Sequence, residues 1–476
     1  MTKVLKIVSF GGAGVLVAVL VAATLIENIY GLPFALENIY HSAWFIALWA
    51  LLAVTATAYI LRTQRRVSLI LLHASFVVVL LGAFVSFLTS KRGDIVISEG
   101  GVPASMFEMH DGQLDKLPFR LQLVNVDTVY LDNGAPSDYK AYICADNIKA
   151  SDLHTLSLNA PIKINGYQFC IKGVEDGCLS LLVSHDVYGR PISYLGYAMV
   201  FFSFLLLFFD RQSGFKALLQ QIKGKTGSGK VKGESVKVAV KKERDIMSLS
   251  ILARRIWVAL PVSFLFLCIL WHGRGVFPAT NGAEALMLLA FFVMLLAVAL
   301  RRKKRFVLLS RLLVVVAAMF FVVAALGLDG DSDVQPILRT PLLSIHVTTI
   351  IIAYALLACT AVNAVIALCQ KDAKIRAQQA VLGRLLLYPA TMLLATGIFI
   401  GAVWANLSWG RYWGWDPKEV WALVTLLVCS IGFHSHSLRF VSKPVAFHIF
   451  CIVAFLAVLF TFFGVNLLLG GLHSYA

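Results

Sequence analysis

The sequence predicts an all-α polytopic membrane protein with a small extracytoplasmic β domain, and three observations predict it. The 476 residues are 59% hydrophobic with a mean hydropathy of +0.80, more apolar side chain than a soluble core can hold. Apolar runs of about 20 residues, the length that crosses the hydrocarbon layer, recur along the chain, roughly eleven of them. One polar stretch of roughly a hundred residues alternates apolar and polar side chains instead, the period of a strand.

The first run extends from about Ile7 to Leu25. It is long and no small-residue cleavage site follows it, so it reads as a retained helix rather than a signal peptide. Two more lie near Ser42 to Leu61 and Val67 to Thr89. The polar stretch then runs from about Ser90 to Pro191, where FRLQLVNVDTVYL, APIKINGYQFCIKG and CLSLLVSHDVYG are strand-like and broken by Gly, Asn and Asp. A fourth run spans about Ile192 to Phe209. The rest lie near Ile256 to Trp271, Gly282 to Leu300, Phe306 to Gly327, Leu342 to Cys369, Leu385 to Trp404, Val420 to Ser437 and Val445 to Leu468. The chain thus divides into three helices over 1–90, a β domain over 91–191, a fourth helix over 192–210, a basic linker over 211–250, and a second membrane half over 251–476 with a tryptophan-rich loop at 404–421.

The net charge of +16 does not indicate a nucleic-acid partner, because most of the excess lies in short loops beside helix ends, where it sets orientation. Lys3 and Lys6, the group Arg62, Arg65 and Arg66, the stretch from Arg211 to Met247, RRKKR at 301–305, KDAKIR at 371–376, and Arg439 with Lys443 all read as cytoplasmic. They alternate with loops such as LDGDSD at 328–333. An odd number of crossings puts the N-terminus inside, and the C-terminus and tryptophan loop outside. GKTGSGK in the linker lacks the GxxxxGK[ST] spacing and strand-to-helix context of a phosphate loop. The eight cysteines show no CxxC and no zinc-like cluster. Cys268, Cys359, Cys369, Cys429 and Cys451 fall in apolar runs as small apolar side chains. Cys144, Cys170 and Cys178 fall in the polar domain, where an oxidising compartment would let two of them pair.

Ionisable rings inside a bilayer are costly and tend to be functional, which directs attention to the eleven histidines. His73 lies about two turns into its helix from the cytoplasmic end. His434 lies thirteen residues after Trp421 on a helix entering from outside, so the two can share a deep level. His346, in TPLLSIHVTTIIIAY, sits just inside the outer end of its helix, and His473, in GLHSYA, follows the last helix on the outer side. Each pair suits bis-histidine ligation of a haem iron. The plainer reading of any one of them is a ring hydrogen-bonded to a neighbouring helix. His436 and His448 rival His434 for the inner site; His41, His110, His154, His185 and His272 read as solvated.

WGRYWGWDPKEVW gathers Trp409, Trp413, Trp415 and Trp421, just after Trp404. An interfacial aromatic belt is the ordinary reading of such rings. A belt, however, needs neither WDPKE nor Gly410 and Gly414, which allow close backbone approach. Asp416 before Pro417 is placed to cap the following helix. That role is compatible with a functional one, and Asp416 joins His346 and His473 as a candidate catalytic residue.

This stretch resembles the tryptophan-rich WWD signature of haem-handling proteins. Flanked by His346 and by the terminal GVNLLLGGLHSYA, it resembles the CcsA half of System II cytochrome c synthases, while LPFRLQLVNVDTVYLDNG and LNAPIKINGYQFCIKG resemble the outward domain of the partner, CcsB or ResB. A single chain carrying both is similar to the fused CcsBA type. The resemblance implies that haem b is taken from the cytoplasmic side, held in the membrane by His73 and His434, and passed to an external site under the loop. There His346 and His473 would be the axial ligands, with Trp404, Trp409, Trp413, Trp415, Trp421, Gly410 and Gly414 around the ring. It implies a haem lyase of the bacterial cytoplasmic (inner) membrane, joining the haem vinyl groups to the thiols of a CxxCH motif on apocytochrome c. Membrane lipid, and thiol-reducing proteins that keep those cysteines reduced, are the further partners it implies. Two departures bear on how the apocytochrome is received: the outward domain is short for the family, and Cys170 stands where an aromatic residue is common.

The physical logic agrees. Each imidazole supplies one axial ligand and its partner must come from another helix, so haem would tie the halves together. Indole faces pack a flat macrocycle, and thioether formation then depends chiefly on proximity, with no protein nucleophile required. Two other readings remain at this stage: a haem exporter or chaperone that forms no bond, and a b-type cytochrome carrying electrons, which would need no external tryptophan loop.

Overall fold

The computed structural model describes residues 1–109, 112–130, 134, 136–146, 153–175, 177–224, 259–274, 277–301, 306–326 and 336–469. Helices α1 (Thr2–Tyr30), α2 (Ala43–Thr63) and α3 (Val67–Thr89) precede an antiparallel sheet, and α4 (Gly189–Phe209) follows it. A short α5 (Gly214–Gly224) leads into the linker, most of which lies outside the described residues, as do RRKKR beyond Arg301 and the whole of LDGDSD. The second half comprises α6 (Ala259–Arg274), α7 (Gly282–Leu300), α8 (Val307–Leu326), α9 (Pro341–Cys369), α10 (Ala373–Trp409), α11 (Pro417–Ile431) and α12 (Pro444–Leu459), the last continuing as π-helix over Phe460–Leu469. Among the described residues nine helices are long and apolar enough to cross a membrane, and the chain is a multi-pass membrane protein. Each of the eleven predicted runs overlaps a helix among the described residues, the one predicted from Val420 to Ser437 only as far as Ile431. The two that do not qualify by length are α6, with 16 residues, and α11, with 15.

Capping fixes the boundaries that matter. Ser42 Oγ accepts from the Phe45 N–H to start α2, and Thr340 Oγ1 accepts from Leu343 N–H to start α9, with Pro341 in its first turn. Asp372 accepts from Lys374 N–H, so α10 begins at Ala373 rather than at the predicted Leu385. The KDAKIR segment, expected as a loop, is therefore mostly the first turn of a 37-residue helix. At the other end of the second half, α11 stops at Ile431, which leaves His434 beyond the helix instead of on it.

The strands are β1 (Lys91–Ser98), β2 (Ala104–Met109), β3 (Leu114–Tyr130), β4 (Pro136–Asp146), β5 (His154–Ser157), β6 (Ile162–Ile164), β7 (Tyr167–Glu175) and β8 (Cys178–His185). They form one sheet in the order β5-β4-β3-β2-β1-β8-β7-β6. Phe107, Phe119, Leu121, Leu123, Ile143, Phe169, Ile171 and Leu181 alternate inward to make its core. In β7 the alternation fails, because all five residues from Tyr167 to Ile171 are buried. The odd members, Tyr167, Phe169 and Ile171, face the sheet core, while Gln168 and Cys170 contact the end of α10. The sheet's two helical legs touch closely: a side chain on Gly82, Gly189 or Gly196 would overlap Ser193, Ser86 or Val79. Such small-residue contacts are how helices approach without a hydrophobic drive in lipid.

Candidate functional site

The inner site is a pair of rings. His73 on α3 and His434 beyond α11 have ring centroids 6.2 Å apart and planes at 85°. His73 Nδ1 lies 2.8 Å from Leu69 O, and His434 Nδ1 lies 2.8 Å from Ser430 O. A carbonyl only accepts, so each Nδ1 carries the proton and each neutral ring keeps its Nε2 lone pair for a ligand. Metal–imidazole bonds of about 2 Å on either side of one ion space two ring centres about 6 Å apart, which is the spacing observed. Phe10 of α1 packs edge-on at 5.2 Å from His434. The rivals are placed elsewhere: His436 is exposed, and buried His448 directs Nε2 to Arg376 O at 3.1 Å. Among the described residues no three His, Cys, Asp or Glu side chains converge to hold a metal ion. His154 and His185 are half-buried rather than solvated, His185 against the Tyr167 ring at 4.4 Å.

In the second turn of α9, His346 Nδ1 lies 2.7 Å from Gly397 O of α10, so Nδ1 is the donor. The ring sits in a groove made by glycine. A Cβ on Gly401 would be 2.6 Å from His346 Cε1, and one on Gly397 would be 2.6 Å from Ile350. His473 lies outside the described residues, and so does His110.

The tryptophans divide into two groups. Trp404 and Trp409 meet at 4.8 Å and pack with Leu343 and Val347, residues flanking His346 on α9. Trp415 instead stacks on Tyr40 at 4.5 Å and 11°, with Phe45 edge-on at 5.5 Å, and Trp421 Nε1–H donates to Thr24 Oγ1 at 3.1 Å. That second group docks the first half of the chain against the loop. Trp413 packs on the main helical core, edge-on at 5.8 Å from Trp415. Trp415 has φ +61°, a left-handed conformation that costs a bulky residue about 1–3 kcal/mol. Its aromatic neighbours hold it there. Asp416 is the cap expected, accepting from Lys418 N–H at 2.9 Å, and is buried. Gly414 N–H donates to Glu419 Oε2 at 2.8 Å.

Gly410, at φ +67°, ends α10 and brings the backbone against Ser184 and Cys170. Sequence reasoning missed what surrounds it. Gln168 Nε2 donates to Asn406 O at 2.6 Å, Arg190 donates to Gln168 Oε1 at 2.6 Å, and Ser408 donates to Asn159 at 2.9 Å. Tyr412 donates to Ser86 at 2.6 Å, which donates to Asp186 at 2.6 Å. Asp186 Oδ1 also accepts from Gly189 and Arg190 N–H to start α4. The sheet is thereby fastened to the start of the tryptophan loop. An Asp three residues before Gly189 was the one local signal; the pairing of distant polar side chains had none. Cys170, buried in this junction, has its thiol pushed above the ordinary range by burial. Cys144, Cys170 and Cys178 are all free thiols.

Residues 62–188 match the ResB-like family, and residues 279–473 match the Cytochrome C assembly protein family. The chain belongs to the fused CcsBA type of System II cytochrome c biogenesis proteins. The chain is 33% identical over 232 residues to cytochrome c biogenesis protein CcsA of Chlamydomonas reinhardtii, covering 44% of this chain and 64% of that one. It is 46% identical over 84 residues to Protein NrfI of Wolinella succinogenes, 18% of this chain and 9% of that one. CcsA of Manihot esculenta is 49% identical over 86 residues, 18% and 26% respectively. The chain thus spans less than two thirds of the length of these curated relatives. Within the CcsBA arrangement the inner pair takes His73 from the ResB-like segment and His434 from the assembly segment.

Proposed function

We propose that the protein is a cytochrome c haem lyase that carries haem b through the membrane and attaches it to apocytochrome c on the outer face. The observation that carries this reading is the His73–His434 pair, one ring from each family segment, with both Nδ1 atoms committed to carbonyls. Two such rings on separate elements suit the axial ligation of an iron porphyrin, which supplies its own four equatorial nitrogens. His346, beside Trp404 and Trp409, is the ligand at the outer level, and His473 its partner there. Haem and the CxxCH thiols are substrates. Each S–H adds across a vinyl C=C, the sulfur bonding to one carbon and the proton going to the other, so the protein need only hold the ring and bring the thiols near. Asp416 serves this through the loop geometry that its cap sets. The basic loops favour a bacterial inner-membrane setting with the N-terminus cytoplasmic, where thiol-reducing proteins would keep the acceptor cysteines reduced.

The test is expression in a host without its own maturation system, together with a CxxCH reporter, followed by staining of the denatured reporter for covalent haem. Stained reporter is the expected outcome. Folded, haem-loaded protein without stained reporter overturns the lyase reading in favour of a haem exporter or chaperone.

A further inference from the structure

The two rings of the inner pair are held by different means. His73 stands within α3, where the helical ladder fixes its backbone. His434 stands beyond the end of α11 at Ile431, in a run of turns. These are closed by His434 N–H to Ile431 O at 3.0 Å, Ser437 N–H to His434 O at 2.9 Å and Leu438 N–H to His434 O at 2.7 Å. Turns closed by single bonds open more readily than a helix, so the place of this ring depends on what anchors them. On the near side Gly432 packs so closely on Leu387 of α10 and Phe450 of α12 that a side chain would overlap both. On the far side Arg384 of α10 donates to Val441 O at 2.6 Å. Between them a further tie comes from the other half of the chain: Tyr59 of α2 and Ser437 share a hydrogen bond of 2.9 Å, hydroxyl to hydroxyl.

We propose that Tyr59 is a positioning residue for the inner haem ligand: its hydroxyl pins Ser437 and, through the Ser437 N–H bond to His434 O, fixes where the His434 ring stands opposite His73. The inference rests on the proposed function, which makes His434 an iron ligand. Phe10 of α1 lies edge-on to both rings, 6.3 Å from Tyr59 and 5.2 Å from His434, so one aromatic side chain limits the movement of the two. Tyr59 and Phe10 fall outside both matched family segments, 62–188 and 279–473. Either hydroxyl of the Tyr59–Ser437 pair can donate, so the bond does not depend on a single arrangement of protons. Hydrogen bonds that orient a metal-binding imidazole commonly govern metal affinity. This one acts a step further out, through the backbone, and its effect is correspondingly smaller.

The experiment titrates the purified full chain with haem b, following the Soret band, in a His346→Gly parent so that the inner pair is read by itself. The parent is compared with Tyr59→Phe, Ser437→Ala and the two together. Electron paramagnetic resonance of the ferric low-spin haem is the second readout, because its anisotropy follows the angle between the two imidazole planes, 85° in this structure. Either substitution should weaken haem binding by roughly two- to tenfold and shift that signal. The combination should be no worse than the weaker of the two, since all three remove one bond. Ser437→Thr, which keeps the hydroxyl, should bind haem as the parent does. If Tyr59→Phe folds poorly, Ser437→Ala removes the same bond from the other side. Parent-like affinity and signal in the variants, weaker binding with an unshifted signal, or losses that add in the combination would each overturn the positioning role while leaving the inner pair as the haem site. No haem uptake by the parent overturns the proposed function as well.

Discussion

His73 and His434, from opposite halves of the chain, hold their rings 6.2 Å apart at 85°, each anchored through Nδ1 to the carbonyl four residues earlier. Replacing either with Gly should reduce the haem retained by the purified protein by at least about tenfold, the change that 1.4 kcal/mol of lost ligation produces. Added imidazole should restore part of it. The measurement is bound haem per protein; unchanged haem in both variants would remove the pair from the site.

Gly401 gives His346 its place, since a Cβ there would sit 2.6 Å from the ring. Gly401→Ala should displace the ring, and a shift of about 1 Å costs roughly a hundredfold in rate when a reaction depends on positioning. Covalent haem on a reporter should fall by that order while haem at the inner pair is retained. Wild-type attachment in this variant would show that the groove does not set the His346 position.

Tyr40 stacks on Trp415 at 4.5 Å and holds its strained backbone. Such aromatic pairs contribute about 0.5–1.5 kcal/mol beyond their buried area. A double-mutant cycle of Tyr40→Leu and Trp415→Leu, read by thermal unfolding in detergent, should give a coupling of that size. Strict additivity would mean that the stack adds nothing.

Cys170 is fully buried at the junction of sheet and loop, with its thiol raised by burial. Its folded form therefore keeps the proton where the unfolded chain, near pH 8.5, begins to lose it. The stabilisation is fully present below that value and is lost as pH rises through the folded pKa. Alkylation followed by mass spectrometry should label Cys369, which is exposed, well before Cys170 at pH 9. Cys170→Ala should flatten the alkaline fall in stability. Equal labelling of the two would contradict the burial.

Gln168 is held between Arg190 and Asn406 O, so Gln168→Leu leaves a buried guanidinium and a carbonyl each short of a partner. Breaking a hydrogen bond to a charged group costs about 1.5–3 kcal/mol. The variant should unfold at lower temperature and admit protease between sheet and helices; resistance equal to wild type would mean the junction is held elsewhere.

The sequence by itself determined the helices, the sheet and the Asp416 cap. Each rests on short-range periodicity or on a side chain reaching its own backbone, and both are written within about 20 residues. It also supplied the chemistry, because WGRYWGWDPKEVW and the histidines are rare in apolar segments for a stated cost. Only the tertiary structure decided which surfaces these residues meet. Trp415 and Trp421 turn to Tyr40 and Thr24 of the first half, while Trp404 and Trp409 stay beside α9. His434 leaves its helix because α11 ends at Ile431. Gln168 and Cys170 read as one face of a strand, and became a junction because α10 covers that face. A contact between distant segments depends on packing that no local pattern encodes, and that is where the halves were joined.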